Sequence, residues 1–102
     1  MPDFRCEFEQ HALQQAPQEA CGLIVNGHYW RCRNIADDPT IDFALDPRDY
    51  VAASMAGKIE AIVHSHPMGG GASKADLRSC AYTRLPWHIW SMPDDQWLTI
   101  TP

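Results

Sequence analysis

The segment His64-Ser65-His66-Pro67 sets two imidazoles two residues apart at the end of an apolar run. Side chains along an extended chain alternate faces, so His64 and His66 fall on one side and Ser65 on the other. Pro67 ends the strand and favours extended backbone at His66. Neutral imidazole is a common zinc ligand, and a pair at this spacing can share one ion. A catalytic zinc site usually has three protein donors and an open position for water. A nearby carboxylate is therefore expected to complete the set, and Asp76 suits the role. It lies in the first turn of the next helix, and the glycine loop before it can fold it back over the strand end. Ser73-x-x-Asp76 also reads as a helix start, with the Ser73 hydroxyl accepting from first-turn amides. The two readings are compatible, because a carboxylate held by its cap is a well-positioned ligand.

Hydrolysis at such a site also needs a group that takes a proton from water and passes it to the leaving group, and a carboxylate can do both. Glu19 is the candidate, because it precedes the apolar strand Cys21 to Val25. Glu7 and Glu9 fall on the first helix, and Glu60 within the strand that leads to the histidines. Other chemistries are poorly served. Gly69-Gly70-Gly71 lacks the G-K-[ST] ending of a phosphate loop. No H-x-E with P-C-x-x-C marks a zinc deaminase. Cys21 and Cys80 take inward positions, where thiols are normally inert, so neither is expected to act as a nucleophile with His88.

The elements that must position these residues follow from pattern and punctuation. Asp3 caps a first helix, which Pro17 ends. Cys21 to Val25 is a strand, Asn26-Gly27 a hairpin turn, and Tyr29 to Ile35 the returning strand. Ile41, Phe43 and Leu45 alternate with Asp42 and Ala44, predicting a half-buried strand. Asp46-Pro47 starts a second helix, with Tyr50, Val51, Ser54 and Met55 facing inward and Gly57 at its end. Ile59 to Val63 is a buried strand running into His64. Ser73 opens a third helix with Leu77, Cys80 and Ala81 inward. Pro86 to Met92 and Trp97 to Thr101 are two last strands. The order implies an α/β domain, one mixed sheet with helices packed on its faces.

A chain of 102 residues suits one domain, residues 1–102, and 45% hydrophobic content predicts a packed core. With net charge -5 and scattered basic residues, no stripe is available for nucleic acid. No apolar run approaches the roughly 20 residues of a membrane helix. The N-terminus lacks the layout of a secretory signal, so a reducing cytoplasm is expected, with Cys6, Cys21, Cys32 and Cys80 as free thiols. Trp87, Trp90 and Trp97 read as core or sheet-face residues. Trp30, flanked by Arg31 and Arg33, is the place for a partner contact, and His11 and His28 read as surface residues.

Together, Glu19-Ala20-Cys21-Gly22, His64-Ser65-His66-Pro67 and Ser73-x-x-Asp76 resemble the JAMM/MPN zinc metallopeptidases. Leu85-Pro86-Trp87-His88-Ile89, with Pro93 and Trp97, is similar to the phage tail-assembly (K-like) branch of that family. The resemblance spans nearly the whole chain. It implies a three-layer, largely antiparallel MPN/JAB-like fold, related to that of cytidine deaminases. It implies zinc on His64, His66 and Asp76, Glu19 as general base and acid, and Ser73 as hydrogen-bond donor to the oxyanion. The implied reaction is hydrolysis of a peptide or isopeptide bond, on tail proteins or cell-wall peptide. An NlpC-type peptidase domain would follow on the C-terminal side. Some MPN-fold domains are non-catalytic scaffolds, and a scaffold in tail assembly is the alternative reading. The spacing departs from the family: nine residues separate His66 from Asp76, where ten is commoner.

Overall fold

The computed structural model describes residues 3–102; Met1 and Pro2, the start of the segment read above for a secretion signal, lie outside the described residues. Helix α1 (Phe4–Gln15) begins where the Asp3 carboxylate accepts from the Arg5 amide. It leads to strands β1 (Cys21–Val25) and β2 (His28–Cys32), joined by Asn26 and Gly27. Both turn residues take positive φ, 51° and 82°, as the two-residue turn that matches strand twist requires. The return strand stops at Cys32, short of the expected Ile35. Helix α2 (Pro47–Ala56) starts from an Asp46 cap with Pro47 at the first helical position, and Gly57 follows it. Strand β3 (Ile59–His66) runs into the histidines. Helix α3 (Lys74–Thr83) opens at Ser73, and β4 (Trp87–Ser91) and β5 (Gln96–Ile100) close the chain.

The five strands form one sheet in the order β2-β1-β3-β4-β5, antiparallel at every pair except the parallel β3–β4. Alternation along β1 and β3 divides the core in two. Ile24, Ala61 and Val63 face α1, where Phe8, Ala12, Tyr29 and Trp90 pack. Leu23, Val25 and Ile62 face the other side, with Ala53 of α2, Cys80 of α3 and Trp87. This is the expected three-layer arrangement. Trp87 and Trp90 are buried and Trp97 packs against the first cluster, as expected of core and sheet-face residues.

Several local expectations are corrected. Residues 41–45 form no strand. Asn34 and Leu45 make a lone bridge, and Ile41 is 74% exposed. The segment is held by the Ile35 amide donating to the Ala44 carbonyl and by the Asn34 side chain, whose Oδ1 accepts from the amides of Ala36 and Ala44 and whose Nδ2 donates to the Asp42 carbonyl. The four residues assigned inward on α2 are exposed, and only Ala53 meets the sheet. A small residue there lets the helix lie close to the strands. Of the expected stripe on α3, Cys80 is buried while Leu77 and Ala81 are exposed. His28 is exposed, but His11 is buried, with Nδ1 2.7 Å from the Tyr29 hydroxyl. Trp30 is half-buried and packs against the second core cluster.

Candidate metal centre

β1 and β3 bring the acid to the histidines. Cys21 pairs with His64 in the antiparallel register, and continuing that register by two places sets Glu19 opposite His66. The extension is real: the Ser65 amide donates to the Ala20 carbonyl at 3.0 Å, and Ser65 Oγ accepts from the Ala20 amide at 2.8 Å. Ser65 points away from the imidazoles, as alternation requires, and pins the residue next to Glu19. The Glu19 backbone is held further by its amide donating to the Pro39 carbonyl and its carbonyl accepting from Asn34 Nδ2.

His64 is fully buried. Phe43 stacks on its ring, centroids 4.3 Å apart, and Trp87 meets it edge-on at 5.3 Å. His66 sits half-buried with Nδ1 3.3 Å from the Gly70 carbonyl. A carbonyl only accepts, so this contact puts a proton on Nδ1, and in the neutral ring the Nε2 lone pair is free. Gly70 presents that carbonyl from φ +94°, backbone that glycine adopts without steric cost. The nine-residue connection therefore closes, with glycines at its tightest points.

Asp76 reaches the same space from α3. Its Oδ1 lies 3.5 Å from His64 Nε2 and its Oδ2 3.3 Å from His66 Nε2, while the two Nε2 atoms are 3.2 Å apart. Ser73 and Asp76 form a reciprocal cap: the Ser73 amide donates to Asp76 Oδ2, and Ser73 Oγ accepts from the Asp76 amide, both at 3.0 Å. Glu19 completes the cluster, with one oxygen and one nitrogen of each histidine all within 4.8 Å of one another. Glu19, His66, Ser73 and Asp76 line one cleft of about 450 Å³.

The electrostatics separate the two acids. Burial pushes the Glu19 carboxyl up to about 7; the His66 ring opposes this, and Asp76 and Asp42 add to it. Burial would also raise Asp76, but contacts with His64, His66 and the Ser73 amide outweigh it and hold this carboxyl well below the usual range. Burial lowers the pKa of His64, whereas Asp76 raises that of His66. One carboxylate is thus permanently charged beside two rings, and the other is poised near neutrality.

These donors fit a zinc ion. With bonds of about 2.0–2.1 Å, tetrahedral donors stand roughly 3.3–3.4 Å apart, close to the 3.2, 3.3 and 3.5 Å found here. Two Nε2 atoms at this separation cannot both carry protons, so at least one lone pair points into the cluster. The five residues singled out in the sequence all converge on this space. The contacts by which Asn34, Phe43 and Ser65 support the site go beyond the sequence reading. Ser65 is signalled by its opposite parity between the histidines; the roles of Asn34 and Phe43 depend on contacts distant in sequence.

The family model for prokaryotic homologs of the JAB domain matches residues 3–99. Tail tip assembly protein K of Escherichia phage N15 is 42% identical over 97 residues, which cover 90% of this chain and 40% of that protein. Tail tip assembly protein K of Escherichia phage lambda is 44% identical over 46 residues, 44% of this chain and 23% of that protein. The chain thus spans less than half the length of these curated relatives. Protein DSY2949 of Desulfitobacterium hafniense, solved in solution, superimposes with a TM-score of 0.76 at 25% identity, covering 94% of this chain and 76% of that one. The match over residues 3–99 covers nearly the whole domain described above: this chain belongs to the prokaryotic homologs of the JAB domain.

Proposed function

We propose that the chain is a zinc-dependent peptidase or isopeptidase domain of the JAMM type, acting in phage or prophage tail assembly in the host cytoplasm. The observation that carries this reading is the donor spacing of 3.2–3.5 Å among His64, His66 and Asp76. These three residues would hold the ion. When bound, zinc supplies Lewis acidity and brings the pKa of water to about 7.

The chain's own residues supply the remaining chemistry. Glu19 acts as the proton carrier, because a carboxyl raised to about 7 can accept a proton and return it at neutral pH. It takes one from the attacking water and delivers it to the leaving amine. The Ser73 oxygen accepts from the Asp76 amide, which leaves the hydroxyl proton free to donate to the developing oxyanion. Phe43 and Trp87 fix the His64 ring. The tail-assembly setting is supported by the likeness to the two tail tip assembly proteins. The substrate in this reading is a tail protein or cell-wall peptide, and the partner is an NlpC-type peptidase domain on the C-terminal side.

One observation favours a second reading. The Glu19 carboxylate comes close enough to both histidines to be a ligand itself. If it closes on the ion, no free base remains, and the domain is a metal-braced interaction module. Glu19→Gln separates the two. The catalytic reading expects zinc retained and hydrolysis of a tail-protein or cell-wall substrate abolished. Loss of zinc in this variant supports the module.

A further inference from the structure

The loop that failed to become a strand builds the outer wall of the site. Ile41 and Asp42 line the metal-centre cleft, and both also line a second cavity of about 490 Å³ that continues along residues 35–44 past Asp37 and Asp38. The two cavities adjoin at Ile41 and Asp42, and a chain lying over these residues would reach both. The lining of this groove is one-sided in charge: acids occur throughout, and no Lys or Arg lines either part. Among the described residues, the ion pairs formed by arginine go to Asp46 and Asp49, so Asp37, Asp38 and Asp42 have no cationic partner. Apolar side chains stand at the rim, with Ile41 74% and Met68 85% exposed.

A second feature, at the inner end of the groove, points to a ligand. Glu19 is 8% exposed, its side chain lines the cleft, and its carboxylate takes no hydrogen bond from the described residues. Its oxygens open only to the cleft, so whatever meets this desolvated carboxyl enters from the groove. A zinc ion would offset charge only at the inner end, near Glu19 and Asp76. The outer acids Asp37, Asp38 and Asp42, all exposed, would remain uncompensated and give this end of the groove a negative potential.

We infer that the groove running from the metal centre along residues 35–44 binds an extended peptide carrying cationic side chains, its apolar side chains resting on Ile41 and Met68. This rests on the reading of the cleft as a peptide-processing site. It adds the substrate class: lysine- or arginine-bearing segments enter, and acidic segments are excluded.

The test uses binding rather than cleavage, on the full chain with and without added zinc. Two dansyl-labelled hexapeptides of alanine and leucine differ only at two positions, lysine in one and glutamate in the other. Fluorescence anisotropy should give a Kd at least about tenfold lower for the lysine peptide, a difference of the size two or three charge pairs provide. The preference should shrink toward 1 M salt, where the screening length falls to about 3 Å. The double variant Asp37→Asn/Asp42→Asn keeps side-chain shape and should abolish most of the preference. Equal affinities, a preference for the glutamate peptide, no binding of either, or an undiminished preference in the double variant would each overturn the inference. A chain that takes up no zinc yet selects the lysine peptide would reject the hydrolytic reading and leave this one standing.

Discussion

The Ser73 amide donates to Asp76 Oδ2 at 3.0 Å, and that same oxygen lies 3.3 Å from His66 Nε2. The helix cap and the third donor are thus a single arrangement. The cap fixes the carboxylate rotamer before any ion arrives, which lowers the ordering cost of binding. It also divides the labour of Ser73, whose backbone orients Asp76 while its hydroxyl stays at the edge of the cleft.

The two halves of that cap should separate by mutation. Ser73→Ala removes the side-chain acceptor but keeps the amide donor to Asp76. Stability should fall by about 1 kcal/mol, a drop in Tm of roughly 4–8 °C for a domain near this size. Zinc stoichiometry should be unchanged. Thermal melts and metal analysis of the same preparation check this, and loss of zinc would mean that the hydroxyl holds the ligand.

Gly70 should matter to the metal more than to the fold. An added Cβ meets nothing within 4 Å, so Gly70→Ala acts only through its φ of +94°. The backbone would turn its carbonyl away from His66 Nδ1. Losing such an outer partner typically costs 10–100-fold in metal affinity. A competition titration with a chelator should show that loss while the Tm of the zinc-free protein barely moves.

Asn34 joins Glu19 to the outer loop, donating to the carbonyls of Glu19 and Asp42 at 2.9 Å. Asn34→Asp replaces those donors with acceptors facing two carbonyl oxygens. Stability should fall by about 2 kcal/mol at pH 7 and partly return as pH falls toward about 4, because the carbonyl oxygens raise the new carboxyl's folded pKa above its unfolded value of about 3.9 and it protonates first in the folded chain. Urea titrations of variant and parent at both pH values measure the difference.

Burial, with Arg31 in support, holds the His11 pKa down at about 4, against 6.5 ordinarily. The unfolded chain therefore binds the extra proton first. The stability associated with neutral His11 is fully present above pH 6.5 and is lost as pH falls from 6.5 toward 4, at about 1.4 kcal/mol per unit. His11→Gln should reduce the slope of stability against pH in that window and leave the slope above pH 7 unaltered, as read from urea midpoints.

Much of the site was legible because it depends on local rules. Strand parity put His64 and His66 together and Ser65 opposite, and Ser73-x-x-Asp76 announced a cap that is present in both directions. Glu19 could be placed because it stands two residues before a strand that pairs with the histidine strand. Elsewhere the same rules misled. Ile41 to Leu45 alternates like a strand, yet it packs through Phe43 on His64 and hangs from Asn34, contacts between distant parts of the chain. The apolar positions of α2 suggested an inward stripe, but the sheet accepts only Ala53, and the larger residues turn outward. His11 is buried because Tyr29 waits for it 18 residues away, a distance no local pattern spans.

The central claim is that His64, His66 and Asp76 hold one divalent cation together. Metal analysis of the chain purified without chelator, beside His64→Ala and Asp76→Ala, tests it directly. The account predicts one zinc per parent chain and a small fraction of that in either variant, with circular dichroism showing the fold intact. Full zinc in His64→Ala, or none in the parent after zinc has been supplied and the excess removed, would contradict it.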